Sequence, residues 1–207
     1  MELSKPRKYA ATREDVLVEQ TLVEKAQEGE QWAIGKLYQD HVVQVRKLLL
    51  SILGPNSQID DLTQDVFVQV FTSIRRFQGN SRFATWLHRI AVNVALSWLR
   101  QKKRTPFATD DTTAIPTAPQ QERQAQVQAQ LKELYGVLDS LSPKRRIAFI
   151  LFEIDHRSLD EIAVITGSNV ATIKSRIFFA RKDIFKKAAS RPVLKELMED
   201  LTGDERK

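Results

Sequence analysis

Asp60, Asp61 and Asp65 lie in one short stretch, "DDLTQD", and on a helix Asp61 and Asp65 would share a face one turn apart. Paired carboxylates of this kind begin a divalent-metal site such as a nuclease or recombinase would use. No His or Glu stands where it would complete the ligand set, and His41, His88 and His156 are scattered with no nucleophile partner. The chain has no cysteine, which removes disulfides, thiolate metal sites and cysteine nucleophiles together. Catalysis by this chain is not expected, and neither is a metal or any other cofactor.

The remaining chemistry is recognition. In "NVATIKSRIFFARKDIFKK", from Asn169 to Lys187, Ile173, Ile177, Ala180 and Ile184 recur at helical spacing and mark a face that packs inward. The opposite face then carries Ala171, Thr172, Ser175, Phe178, Phe179 and Lys182, with Lys174, Arg176 and Arg181 at its margins. Polar and apolar groups that meet base edges, flanked by cations that meet phosphates, suit the major groove of duplex DNA. A second stretch, "RRFQGNSRFATWL" from Arg75 to Leu87, sets Arg75, Arg76 and Arg82 beside Phe77, Phe83 and Trp86 around a Gly-Asn-Ser loop. Cations that follow a backbone next to aromatic rings that stack on bases fit unpaired strands, although the same rings could serve the core.

Composition agrees with a polyanionic partner. The 207 residues carry a net charge of +6 with a pI near 9.6, and 42% of them are hydrophobic, enough for one domain or two small ones. The longest apolar runs, "LLLSIL" and "IAFILF", fall far short of the roughly 20 residues that span a bilayer. The N-terminus resembles neither a secretory signal nor a transit peptide, so the protein is expected in the cytoplasm.

Positioning these groups is a task for helices, since prolines are absent from Pro55 to Pro106 and from Pro143 to Pro192. Ile34, Leu37, Tyr38, Val42, Val45, Leu48, Leu49 and Ile52 trace one core face; Val66, Val70 and Ile74, flanked by Phe67 and Phe71, trace a second. Ser57 with Asp60 reads as the capping signal of that second helix. A third stripe, Phe83, Leu87, Ile90, Ala91, Val94 and Trp98, leaves Arg82, Trp86, Arg89, Asn93, Ser97 and Arg100 on a polar flank. The Thr-, Ala-, Pro- and Gln-rich stretch from Lys103 to about Gln130 reads as a flexible linker whose glutamine-rich end could begin the next helix. Beyond it, Ser142 with Pro143 starts a helix, Ser158 with Glu161 forms a capping box, and Gly167 breaks the chain before the basic helix. A short helix, a glycine turn and a longer basic helix make a helix-turn-helix pattern. The expected fold is all-α: two helical domains joined by a flexible linker, the C-terminal one a helix-turn-helix.

Four stretches, "DDLTQDVFVQVF", "FQGNSRFATWLHRIAVNVALSWLR", "LSPKRRIAFILFEI" and "SLDEIAVITGSNVATIKSRIFFAR", together resemble the extracytoplasmic-function (ECF) sigma factors of the sigma-70 family. The resemblance covers two blocks, residues 22–104 and 131–187. It implies a region 2-like domain over 17–104, a linker over 105–130 and a region 4-like domain over 131–190. It further implies that Asp61, Gln64, Asp65, Val68 and Gln69 dock on the clamp helices of the largest subunit of core RNA polymerase. The loop Gln78, Gly79, Asn80 and Ser81, with Asn80 and Ser81 as base readers, would open the promoter at the −10 element, supported by Arg82, Trp86, Arg89 and Asn93. Thr172, Lys174, Ser175, Arg176, Phe178, Phe179 and Arg181 would read the duplex at the −35 element. Phe179 departs from the family, which often has arginine there.

The expected partners are therefore core RNA polymerase and promoter DNA, double- and single-stranded, with an anti-sigma factor as regulator; the free chain would be monomeric, and nucleoid-associated in the holoenzyme. The competing reading is a conventional helix-turn-helix repressor or activator that acts without polymerase, which would need a ligand pocket or dimer seam in the first block.

Overall fold

A computed structural model describes residues 13–104 and 129–188, and among them every regular element is helical. Helix α1 (Arg13–Glu28) begins before the expected boundary at Leu17 and lies antiparallel to α2 (Gln31–Leu53), the two separated by Gly29 at φ 95°. Leu37, Val45, Leu48, Leu49 and Ile52 of α2 are buried as their spacing requires, against Leu22, Val23 and Ala26 of α1. Tyr38 lies at the edge of that stripe, exposed but with its ring edge-on to Phe67 at 4.8 Å. The expected core position is thus a rim position, where the phenol keeps its hydroxyl in water.

Helix α3 (Ile59–Ser73) buries Ile59, Val66, Phe67 and Val70 and closes in a 3-10 turn over Ile74–Arg76. Its predicted cap does not form: the N-cap residue is Gln58, whose backbone N–H donates to Asn56 Oδ1 at 3.0 Å, and Asp60 instead accepts from Arg46 Nε at 2.7 Å. Helix α4 (Phe83–Arg104) follows the Gly79 turn. Trp98 near its end donates its indole N–H to Gln58 Oε1 at 2.6 Å, tying α4 to the start of α3.

The described part of α5 covers residues 129–138, so the glutamine-rich end of the expected linker is helical there; residues 105–128 lie outside the described residues. Helix α6 (Pro143–Glu153) has Pro143 at its first turn and Ser142 as N-cap, but the serine hydroxyl makes no capping bond. The capping box before α7 (Leu159–Thr166) is complete: Ser158 Oγ accepts from the Glu161 N–H at 3.2 Å while the Glu161 carboxylate accepts from the Ser158 N–H at 3.0 Å. Gly167 ends α7 in the left-handed conformation at φ 61°, where any other residue would be strained. Asn169 then caps α8 (Val170–Ala188), its Oδ1 accepting from the Thr172 N–H at 2.7 Å. Ile173, Ile177, Ala180 and Ile184 of α8 are buried with Ile162 and Ile165 of α7, as the helix-turn-helix pattern requires.

The two helical bodies share one continuous apolar core. Helix α4 packs against α2 and α3 on one side and against α6 and α7 on another. That second contact explains why His88, Val92, Ala95 and Leu99, none of them on the stripe read from spacing, are buried.

Candidate nucleic-acid interface

Three exposed faces carry the residues singled out by type and spacing. On α3, Asp61, Gln64, Asp65, Val68 and Gln69 all point to solvent, opposite the buried valines. Val68 is 61% exposed in the middle of this acidic and amide surface, an apolar residue with no intramolecular cover. Asp60 is drawn off to Arg46, and among the described residues there is no group of three or more His, Cys, Asp or Glu side chains able to hold a metal.

The second face is the loop leading into α4. Gly79 takes φ 71° with open space where a side chain would stand. Gln78, Asn80 and Arg82 are exposed, and Asn80 Nδ2 donates to Gln78 Oε1 at 3.1 Å. Two devices fix the base of the loop. Gln27 of α1 donates from Nε2 to the carbonyls of Ile74, at 2.9 Å, and Phe77, at 2.8 Å, and Phe77, Phe83 and Trp86 form a ring cluster with centroids 5.1 to 6.0 Å apart. Phe83 is buried, whereas Phe77 and Trp86 are half-buried, so the cluster seats the loop while leaving part of two rings accessible. Between α1 and the loop lies an open cavity of about 500 Å³, with Val23, Phe77 and Phe83 among its apolar walls and Gln27, Gln78 and Ser81 among its polar ones. From this rim the exposed Arg82, Arg89 and Asn93 continue along α4.

The third face is α8. Lys174, Ser175, Phe178 and Phe179 are exposed and Thr172 and Arg176 half-buried, on the side away from the buried isoleucines. Arg176 donates to Ser168 Oγ at 2.9 Å, which ties the reading face to the turn. Arg181 is engaged lower down, 2.6 Å from the Glu153 carboxylate and over the Phe152 ring, so it braces α8 against α6.

Three features escaped the sequence. Gln27 belongs to a helix whose pattern is weak, and no spacing rule signals its long-range bond to the loop. Arg146, in "LSPKRR", is 1% exposed: its Nε donates to the Ile52 carbonyl at 2.6 Å, it pairs with Asp139, and it lies over the Tyr135 ring. Tyr135 itself donates to the Leu50 carbonyl at 3.1 Å, and burial raises its phenol pKa. His88 is buried, 3.4 Å from Arg157 Nη2. Because the guanidinium can only donate, His88 Nε2 must be the unprotonated nitrogen. Burial, then the Arg157 charge, lowers its pKa to about 4 against the opposing pull of Asp155.

An acidic helix face, an amide-tipped loop over a cavity and a basic helix-turn-helix, carried by one all-helical chain, describe a sigma-type promoter-recognition protein. The sigma-70 region 2 profile matches residues 37–105 and the sigma-70 region 4 profile residues 131–184. The ECF RNA polymerase sigma-E factor of Escherichia coli K12 is 34% identical over 185 residues, spanning 83% of this chain and 94% of the relative. The ECF sigma factor SigE of Mycolicibacterium smegmatis is 31% identical over 152 residues, 72% of this chain and 59% of that one. The chain belongs to the sigma-70 family, as an ECF sigma factor. Two solved structures share the fold: CnrH in complex with the cytosolic domain of CnrY (TM-score 0.61, 23% identity, 84% of this chain and 98% of that one) and the Bartonella quintana sigma factor RpoE in complex with the anti-sigma factor NepR (TM-score 0.55, 24% identity, 76% and 97%). None of these similarities supports the repressor or activator reading.

Proposed function

We infer that this chain is a non-catalytic specificity subunit that joins core RNA polymerase in the cytoplasm, recognises two promoter elements and opens the DNA between them and the start site. The observation that carries the reading is the separation of three chemically distinct exposed faces on one chain. The α3 face, with Asp61, Gln64, Asp65, Val68 and Gln69, offers the carboxylates and single apolar knob of a protein contact. Gln78, Gly79 and Ser81 of the loop line a cavity that would take an unstacked base, with the Asn80 amide exposed beside them. Arg82, Arg89 and Asn93 would hold the strand beside it, and Trp86 would act through the ring cluster beneath.

On α8, Thr172, Lys174, Ser175, Arg176, Phe178 and Phe179 would face the major groove of the upstream element, with Arg181 fixing the helix in place. In this reading residues 17–104 and 131–190 are the two recognition domains and 105–130 the connection between them. An anti-sigma factor is the proposed regulator, since a sigma factor sharing this fold was solved with one. The free chain would be a monomer.

The test is transcription from fragmented host DNA by core polymerase lacking sigma, with and without this protein, with RNA 5′ ends mapped by sequencing. Discrete new start sites sharing two upstream motifs are expected. Duplex binding by a dimer without polymerase, and no new starts, would overturn the proposal.

A further inference from the structure

Phe178 and Phe179 stand out on α8 as neighbours in sequence, 62% and 41% exposed, on a helix that buries its isoleucines and whose other exposed phenylalanine, Phe185, stands apart nearer its end. Two adjacent exposed phenylalanines form an apolar patch that a partner must cover. The patch is also held in shape. The two rings meet edge-on at 5.4 Å, and the Arg145 guanidinium of α6 lies over the Phe179 ring at 5.0 Å, itself anchored by Asp183 at 2.9 Å. Lys174 and Lys182 stand exposed on either side, with Arg176 half-buried nearby. A surface whose apolar centre is rimmed by cations complements a polyanion that presents apolar groups.

Within duplex DNA that description fits one group. A phenyl ring has no donor or acceptor, so it reads neither the hydrogen-bonding pattern of base edges nor phosphate. Among the groups displayed in the major groove, the one that rewards apolar contact is the C5-methyl of thymine. We propose that Phe178 and Phe179 form a methyl-reading pair that selects thymine at neighbouring positions of the upstream promoter element. Lys174 and Lys182 supply the phosphate attraction around it, and Arg145 keeps the Phe179 ring from collapsing onto the helix. The inference rests on α8 being the helix that reads this element.

Replacing thymine by deoxyuridine removes the methyl and leaves Watson–Crick pairing intact. Holoenzyme assembled from core polymerase and the full chain would initiate on a mapped promoter, on templates substituted position by position in the upstream element. Loss of one methyl contact is expected to lower initiation roughly fourfold at one or two neighbouring positions, the effect of leaving one buried methyl-sized group uncovered. Phe178→Ala and Phe179→Ala should each initiate less well on thymine and lose the discrimination against deoxyuridine. Phe179→Leu, which stays apolar, should retain part of it.

If scrambling the element abolishes initiation while deoxyuridine equals thymine at every position, the methyl reading is wrong and the rings cover a protein instead. If scrambling has no effect, α8 does not read the element and both the inference and its basis fall.

Discussion

His88 is a buried base whose pKa is lowered to about 4 from an ordinary 6.5, so the folded protein refuses a proton that the unfolded chain accepts. Above the unfolded value both states are neutral and the group contributes nothing to the pH dependence. As pH falls from 6.5 towards 4 the unfolded state gains the proton first, and stability is lost across that window, by up to about 3 kcal/mol. Denaturant titrations at stepped pH should therefore show wild type losing more stability across this range than His88→Gln. Asn80 presents the opposite case, an exposed side chain whose amide donates to Gln78. Asn80→Ala should leave melting unchanged and leave upstream binding by the holoenzyme intact, while open-complex formation, read by permanganate reactivity of unpaired thymines, falls at least about tenfold.

At the scale of elements, the exposed faces of α3 and α8 are the backs of buried stripes, which is why their members were legible. Helix α3 buries Val66, Phe67 and Val70, so Asp61, Asp65 and Val68 must turn outward. Asp65→Arg reverses the charge of an exposed residue and should abolish assembly with core polymerase in a pull-down without changing the circular-dichroism melt. Helix α8 is set by the Gly167 turn that ends α7 and by its own Asn169 cap. Lys174 is exposed at its leading end, and the proposed reading makes it a phosphate contact. Lys174→Ala should weaken promoter binding and reduce the slope of log affinity against log salt by about 1. The aromatic residues at the loop were less legible, because spacing alone does not separate a ring that stacks on a base from one that seats the loop. Phe77 and Trp86 pack against Phe83 while remaining half-buried.

For the molecule as a whole, the shared core makes the two bodies mutually dependent. Arg146 lies at their junction, satisfying a carbonyl of α2 from within α6 while pairing with Asp139. Arg146→Ala would leave the Ile52 carbonyl and a cavity behind, at a cost of about 2–4 kcal/mol. Calorimetry should show a single cooperative transition for wild type and a lower one for the variant. Two separate transitions in wild type would mean that the bodies unfold independently and that the junction contributes little.

Local rules carried the sequence a long way. Period 3.6 apolar spacing marked the helices, a Ser-x-x-Glu box and a glycine marked the helix-turn-helix, and the faces left over identified the acidic, amide-tipped and basic surfaces. These features depend on residues within a turn or two of one another, so the order of side chains along the chain determines them. The packing of α4 against α6 and α7, the burial of Arg146 and His88, and the grip of Gln27 on the loop 47 and 50 residues away were decided only in three dimensions. A buried polar group is stable only where its partner has been delivered, and partners so distant in sequence are delivered by the fold.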